Sequence, residues 1–235
     1  MCGRYSLIHS ASAIAERFSL EKLPEMEPRY NAAPTDRMPV IRQGGEAREI
    51  ARLRWGLVPF WAKDEKVGYR MINARSETVA TKPSFRQAFQ RRRCLVPFDG
   101  FYEWVEKGGR KWPIRIIFGE EEELQAFAGL WELWTGPEGE TLESFTILTT
   151  AANPVLEEIH DRMPVVVPEP FWDRWIGENE EPQEVLEEIL EAFPAAKVGF
   201  GPVSREINRA GVEKPELIEP SEEPDLPRRE PKREG

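Results

Sequence analysis

The chain is short of the residues that build disulfide frameworks and metal centres. Its 235 residues include only two cysteines, Cys2 and Cys94, and two histidines. Two cysteines cannot form a disulfide framework, and without a C-x-x-C pair they are poor material for a zinc site. We therefore expect no metal ion and no cofactor.

Long apolar runs are also lacking. No segment approaches the ~20 consecutive apolar residues of a membrane span, and the N-terminus lacks the basic-then-apolar order of a signal peptide. We expect a cytoplasmic protein with no membrane partner. A hydrophobic fraction of 40% with eight tryptophans indicates a globular fold, and a chain of this length needs only one domain.

The apolar pattern alternates between strand and helix periods without a regular order. Helical spacing is found at Ala11–Phe18 behind Ser10, after Ser84, at Asn153–Ile159, at Pro170–Ile176 and around Val185–Leu190. Strands are predicted from Cys2 and at Met38–Arg42, Glu49–Trp55, Cys94–Phe98, Phe101–Val105, Trp112–Phe118, Ala126–Trp131, Phe145–Thr149 and Pro164–Val167. Many short strands with inserted helices favour an α+β fold whose core is a curled, barrel-like antiparallel sheet.

The end of the chain differs in composition from the rest. From Pro220 the sequence is rich in proline and mixed in charge, with too few apolar residues to pack. We expect a single domain over residues 1–219 and a disordered tail over 220–235.

The net charge of −10 argues at first against a nucleic-acid partner. Its distribution changes that view, because the segment Arg70–Arg93 holds seven basic residues and one acid, Glu77, and so carries a charge of +6. This basic segment predicts either one wall of a nucleic-acid channel or a solvated helix face.

Cys2 follows the initiator methionine, and a small residue at this position ordinarily permits removal of Met1. The product is a 1,2-aminothiol, with an amine of pKa ~8 and a thiol of pKa ~8.5 on one carbon skeleton. Such a group condenses with aldehydes to an imine and then closes to a five-membered thiazolidine. Taken alone, Cys2 is better explained as an incidental small residue at a frayed terminus.

Two further residues have side chains suited to proton transfer. His160 lies at the end of a predicted helix, where it either reaches a cleft or is a satisfied structural histidine. Glu103 lies in an aromatic run and shares a strand face with Phe101 and Val105. It is either an exposed strand residue or a desolvated acid suited to general acid-base chemistry.

The motifs of the whole chain resemble those of the SOS response-associated peptidase (SRAP) family, whose members act as abasic-site crosslinkers. The matching segments occur in family order and at similar spacing. They are Met1–Tyr5, Arg29–Thr35, Arg54–Trp61, Asn73–Thr78, Arg93–Trp104, Thr149–Asn153, Ile159–Pro164, Val203–Arg205 and Pro215–Pro220.

The resemblance implies a function and a set of site residues. The implied function is capture of abasic sites in single-stranded DNA through a thiazolidine crosslink, which is a lyase-type activity. It belongs to the DNA damage response, during which a bacterial protein of this kind would be at the nucleoid. The implied catalytic residues are the nucleophile Cys2, the orienting Asn73, Glu103 and His160. The implied DNA contacts are Arg4, Asn31, Pro34, Trp61, Arg75, Thr149 and Arg162, and Phe60 stands where some bacterial relatives carry a second tryptophan.

Two rival hypotheses remain at this point. A thiol peptidase would use Cys2, His160 and Asn73 as nucleophile, base and orienting residue, and its activity could be limited to self-processing at Met1. A non-catalytic reader of modified or single-stranded DNA would not depend on the Cys2 thiol.

Overall fold

The computed structural model describes residues 2–22, 25–45, 47–119, 123–177, 181–192, 197–222 and 225–231. The strands are β1 (Tyr5–Leu7), β2 (Arg29–Ala32), β3 (Arg37–Gly44), β4 (Ala47–Trp55), β5 (Asn73–Arg75), β6 (Arg93–Phe98), β7 (Gly100–Lys107), β8 (Arg110–Phe118), β9 (Gln125–Thr135), β10 (Thr141–Ala151), β11 (Arg162–Pro164) and β12 (Val198–Pro202). The α-helices are α1 (Ala11–Arg17), α2 (Arg86–Arg91), α3 (Trp172–Ile176) and α4 (Pro182–Ala192). Short 3₁₀ helices cover Glu65–Arg70, Glu169–Phe171, Arg205–Asn208 and Pro215–Leu217.

Five strands close into a barrel in the order β10, β4, β3, β6 and β9, because β9 pairs again with β10. The β3–β4 and β9–β10 hairpins supply its long antiparallel ladders, and Gly45 forms the first turn with a φ of +79° that favours glycine. The β4–β10 pairing is parallel. The predicted α+β fold with a barrel-like sheet is therefore confirmed, but the sequence pattern does not predict the parallel pairings of β10 with β4 and with β5.

A second sheet has the antiparallel order β12, β8, β7, β1 and β2. Its inner face packs on the barrel through buried aromatic rings. The Tyr5 ring meets Trp55 edge to face at a centroid distance of 5.1 Å, and the Tyr5 and Phe101 rings each meet Phe127 edge to face at 6.0 Å. These contacts fix β1 against the barrel, so the residues just before β1 have a defined position.

Strand β10 organises the region of interest because it changes partners along its length. Its first part pairs with β4 on one side and β9 on the other, and its last part pairs with β5 and β11. Thr149 consequently lies between Arg75 of β5 and Pro164 of β11, and Ala151 lies opposite Arg162.

Several local predictions need correction. Asn153–Ile159 forms turns rather than an α-helix, although the Asn153 side chain accepts hydrogen bonds from the N–H groups of Val155 and Leu156, both at 3.0 Å, as a helix cap would. Ser84 does not cap α2, whose N-cap position is Phe85 with no side-chain hydrogen bond. The short strands β2, β5 and β12 are also absent from the sequence-based prediction.

The described residues of the expected tail lie against the second sheet. Arg229 and Phe200 of β12 exchange two backbone hydrogen bonds of 2.8 Å, and Leu226 is buried in the main core. This differs from the expected disorder, because a main-chain bridge needs no apolar sequence and a single leucine supplies the packing.

None of the helices in the described ranges has the length and apolar character needed to cross a membrane.

Candidate functional site

The last part of β10 brings together two segments that are far apart in the sequence. Strand β5, which carries Asn73 and Arg75, lies on one flank of β10, and β11, which begins with Arg162, lies on the other. The exposed end of this three-stranded region is formed by residues from both segments. The sequence motifs around Asn73 and His160 therefore meet at one edge of the sheet.

Cys2 lies directly before β1 and is held at this edge by its backbone. The Asn73 Nδ2 donates a hydrogen bond of 2.8 Å to the Cys2 carbonyl oxygen. The Cys2 side chain has no exposed surface, and its Sγ lies 3.8 Å from the Arg4 carbonyl oxygen. The site is therefore closed around the thiol, and the Asn73 amide fixes the backbone on its carbonyl side.

Glu103 lies beside Cys2 on the neighbouring strand β7. Tyr5 is opposite Phe101, and the Tyr102 N–H donates to the Arg4 carbonyl at 3.0 Å, so continuation of the ladder places Gly3 opposite Glu103. Glu103 is only 4% exposed. The exposed-strand alternative for this residue is therefore excluded.

The thiol of Cys2 is electrostatically shifted in this environment. Burial raises the pKa of the Cys2 thiol well above its usual value, and the negative charge of Glu103 raises it further. Cys94 is also fully buried, and burial raises its pKa in the same way. Both thiols are thus held in their neutral form at neutral pH, but the charge that acts on Cys2 is the Glu103 carboxylate and the charge that acts on Cys94 is the Arg42 guanidinium.

His160 lies on the β11 flank. Its Nδ1 accepts a hydrogen bond of 2.9 Å from the Arg162 backbone N–H and also lies 2.8 Å from the Asp161 carboxylate. The first contact needs a lone pair on Nδ1 and the second needs a proton, so only one operates at a time. In the neutral ring that accepts from Arg162, the proton is on Nε2.

Arg4 and Asn31, both implied DNA contacts, bind each other and a loop near the C-terminus. The Arg4 guanidinium donates to the Asn31 Oδ1 and to the Ile207 carbonyl oxygen, both at 2.8 Å. The Asn31 Nδ2 donates to the Arg209 and Val212 carbonyl oxygens at 2.9 and 3.3 Å. Asn31 has no exposed surface, and its amide is engaged by these contacts.

The remaining implied contacts differ in exposure. Trp61 and Phe60 are each about half exposed, at 50% and 51%, and so are available for stacking on bases. Pro34 is partly exposed in the turn before β3, where Thr35 adopts a φ of 81°. Thr149 is fully buried, and its carbonyl and hydroxyl oxygens accept from Arg162 at 2.6 and 3.4 Å.

The basic segment Arg70–Arg93 is divided by the fold. Arg75 is exposed and forms no ion pair with the residues that the structure describes. Arg92 bonds to the buried Glu132 at 2.8 Å, and Arg93 is 3% exposed with its guanidinium bonded to backbone carbonyl oxygens such as that of Phe89. The arginine run at the end of α2 is therefore partly structural.

A buried polar network below β1 was not anticipated. Asp99 accepts from the Ser6 hydroxyl at 2.6 Å and from the Ile8 N–H at 2.5 Å, and it pairs with Arg115 at 3.3 Å. It ties β1 to the start of β7, and so ties the strand after Cys2 to the strand that carries Glu103. The only sequence signal is an acid between two apolar strands.

Metal-binding clusters are not found in the part of the chain that the structure describes. No three His, Cys, Asp or Glu side chains there have a suitable arrangement.

Comparison with known proteins gives consistent matches over most of the chain. The model of the family described as SOS response associated peptidase (SRAP) matches residues 1–210. The chain is 42% identical over 223 residues to the abasic site processing protein YoqW of Bacillus subtilis (strain 168), covering 93% of this chain and 99% of that protein. It is 31% identical over 265 residues to the abasic site processing protein HMCES of Gallus gallus, covering 94% and 78%. A crystal structure of a protein from Bacteroides thetaiotaomicron superposes with a TM-score of 0.84 at 25% identity, covering 94% of this chain and all of that one.

Proposed function

The chain belongs to the SOS response associated peptidase (SRAP) family, and on that premise we propose that it processes abasic sites in single-stranded DNA. Removal of Met1 gives Cys2 the free α-amine that the reaction needs. Met1 lies outside the described residues, so its removal stays a prediction. The observation that carries the proposal is the position of Cys2, whose carbonyl is held by Asn73 and whose thiol lies beside Glu103.

The chemistry follows from the 1,2-aminothiol. An abasic deoxyribose is mostly a closed hemiacetal, and ring opening moves a proton from the 1′-hydroxyl to the ring oxygen to give an aldehyde. The Cys2 amine adds to the aldehyde carbon and loses water to give an imine. The thiol sulfur then adds to the same carbon, and its proton passes to the imine nitrogen, so that the net reaction releases one water and needs no oxidant.

The neighbouring side chains suit these proton transfers. Glu103 is buried next to a thiol that stays protonated at neutral pH, so we assign it the role of accepting that proton and of assisting ring opening. His160 would assist the proton transfer at the ring oxygen of the sugar. The Oδ1 of Asn73 is buried and accepts no hydrogen bond from the described residues, which leaves it free to accept from the Cys2 amine or a sugar hydroxyl.

The surface around the site suits a single strand. Trp61 and Phe60 offer exposed aromatic rings for stacking, and Arg75 offers a guanidinium for a phosphate. Arg4 and Arg162 would contact flanking phosphates, with Asn31 and Thr149 holding them in place. Because these contacts address stacking faces and phosphates, we expect little sequence preference.

The test uses a single-stranded oligonucleotide with one uracil, treated with a uracil glycosylase and then incubated with the protein. We expect a denaturant-stable adduct with the wild type and none with Cys2→Ala. Cys2→Ser should give at most a weak adduct, because a hydroxyl is a poor nucleophile for ring closure. Cys94→Ser is the matched control, since Cys94 is equally buried but lies in β6, and it should crosslink normally.

Intact mass of the protein settles the state of the N-terminus in the same experiment. A species that retains Met1 and still crosslinks fully would contradict the proposed chemistry. Loss of the adduct in Cys94→Ser but not in Cys2→Ala would show that the nucleophile is Cys94 and not Cys2.

A thiol peptidase is the second candidate, favoured by the description of the matched family and by the grouping of Cys2 with Asn73 and Glu103. Its activity could stop at self-processing of the Met1–Cys2 bond or extend to other peptides. Acetylation of the α-amine after Met1 removal separates abasic-site capture from cleavage of other peptides, because a thiol nucleophile would survive this modification and thiazolidine formation would not.

A further inference from the structure

The implied phosphate contact Arg162 is already occupied by an acid. The Glu77 carboxylate binds the Arg162 guanidinium through two hydrogen bonds, from NH1 to Oε1 at 2.5 Å and from NH2 to Oε2 at 2.9 Å. This parallel fork is the geometry in which a guanidinium binds a phosphate. A DNA phosphate and Glu77 would therefore compete for the same donors.

The two partners are held very differently. The Arg162 NH2 group also bonds to the Thr149 carbonyl, and its backbone is fixed by the β10–β11 ladder and by the His160 Nδ1. Glu77 lies in the turn after β5, and its side chain is 48% exposed. Arg162 has these further anchors in the sheet, whereas the other contacts of the Glu77 carboxylate, to its own backbone N–H and to the Ser76 side chain, lie within the same turn.

From this asymmetry we propose that Glu77 is a specificity-determining residue, which occupies the phosphate-binding fork of Arg162 and must be displaced by a strand that enters the site. This inference rests on the proposed function, since it assigns Arg162 to a DNA phosphate. Covalent capture does not need tight initial binding, because the adduct holds the strand once it has formed. A competing carboxylate weakens the binding of undamaged strands, and so keeps the protein from being sequestered on them.

The basic surroundings make this competition effective. Arg75, two residues before Glu77, is exposed and can attract a strand toward the same edge. With Glu77 in place, the pair Glu77–Arg162 contributes no net charge beside Arg75. Displacement of Glu77 exposes a full positive charge at Arg162 for the phosphate, but it also leaves a carboxylate close to the strand.

The experiment measures non-covalent binding of an undamaged single-stranded oligonucleotide by fluorescence anisotropy across a salt series. All variants carry Cys2→Ala in the full chain, so that crosslinking cannot contribute. We expect Glu77→Gln to bind about fivefold more tightly and its dependence of log K on log salt to steepen by about 0.7, the value of one added single-strand phosphate contact. Glu77→Asp should also bind more tightly, because its shorter side chain cannot keep the two-bond fork although the charge is unchanged.

Two controls separate competition by Glu77 for Arg162 from the simple removal of a negative charge. Glu157→Gln removes an exposed carboxylate from the turn before His160 and should change affinity much less. In an Arg162→Ala background, Glu77→Gln should have no effect, because the competition requires the guanidinium.

Three results would overturn the inference. These are an affinity of Glu77→Gln at or below that of the parent, equal effects of Glu77→Gln and Glu157→Gln, and persistence of the gain without Arg162. Crosslinking of abasic DNA by the protein with an intact Cys2 reports separately on the proposed function. If the protein crosslinks abasic DNA but Glu77→Gln does not change binding, only the proposed role of Glu77 is refuted. If the protein neither crosslinks nor binds DNA, both proposals are refuted.

Discussion

At the residue scale, Glu103 has two opposite effects on the Cys2 thiol: its charge keeps the thiol protonated, and its carboxylate can accept the thiol proton. A buried thiol beside a carboxylate is a poor nucleophile in isolation, because both burial and the negative charge raise its pKa. In the proposed mechanism, the same carboxylate takes the thiol proton once an imine carbon is within reach. Glu103 should therefore suppress the general reactivity of the thiol and support its reaction with the bound aldehyde.

This opposition gives a prediction for Glu103→Gln. The substitution removes the negative charge, lowers the pKa of the Cys2 thiol and should speed its alkylation by iodoacetamide by about threefold at a given pH. The rate for the wild type should still rise with pH above about pH 9, because its thiol pKa is raised. The same variant should lose most of its abasic-site crosslinking. Alkylation is followed by mass spectrometry, with Cys94 as the internal reference.

Glu106→Gln is the matched control, since Glu106 is an exposed acid on the same strand. It should change neither the alkylation rate nor the crosslinking. An unchanged or slower alkylation of Cys2 in Glu103→Gln would show that the thiol does not sense this charge.

The sequence motifs identified Cys2, Asn73 and Glu103 as candidates, and the structure groups these three residues. Their assigned roles stay predictions. The burial of Asn31, Thr149 and Arg93 was not predictable, because it arises from segments distant in the chain. Asn31, for example, is enclosed by the loop that contains Arg209 and Val212.

At the scale of elements, the sequence located the long strands well and the short ones poorly. Strands β3, β4 and β6–β10 have clear apolar patterns and were predicted to within two residues of their ends, with two exceptions: β9 ends four residues later and β10 starts four residues earlier than predicted. Strands β2, β5 and β12 have three to five residues, too few for a periodic signal. Because β5 carries Asn73 and Arg75, the geometry of the site depended on an element that pattern analysis could not identify.

The C-terminal segment gives a prediction at this scale. Arg229 adds a main-chain bridge to β12, the edge of the second sheet, and covers hydrogen-bonding groups that an edge strand leaves open. Gly199 permits this approach, because a Cβ there would lie 2.6 Å from the Pro231 ring. The segment is thus a structural part of the sheet although its composition is typical of disorder.

We expect Leu226→Ala to lower the free energy of unfolding by about 2 kcal/mol, because Leu226 is buried at 8% exposure. Deletion of residues 220–235 should lower it by more, since the Phe200–Arg229 bridge is lost as well. Urea denaturation measures both changes. As a control, Glu222→Ala changes an exposed residue and should alter the free energy of unfolding by less than about 0.5 kcal/mol. If Leu226→Ala were as stable as the wild type, the C-terminal segment would not be packed, and the expectation of a disordered tail would stand.

For the whole molecule, the distribution of charge determines where a strand can bind. The protein carries −10 overall, so a polyanion is repelled from most of its surface and attracted only where cations are exposed and unpaired. Arg92 and Arg93 do not add to this attraction, because Arg92 is paired with Glu132 and Arg93 is buried. Arg75 remains exposed beside Asn73, at the edge of the sheet where Cys2 lies.

The last prediction concerns this choice of binding face. Arg75→Ala should weaken single-stranded DNA binding at every sequence and reduce the slope of log K against log salt by about 0.7, because one phosphate contact is lost. Arg91→Ala removes the same charge from an exposed position at the end of α2 and should do much less. It is a better control than Arg92→Ala, which would leave the buried Glu132 carboxylate without its guanidinium and destabilise the fold. The measurement is a salt titration of single-stranded DNA binding by the wild type, Arg75→Ala and Arg91→Ala. A flattened slope for Arg91→Ala with an unchanged slope for Arg75→Ala would place the strand along α2, away from Cys2. A protein that binds a strand there could not bring an abasic sugar to its N-terminal amine.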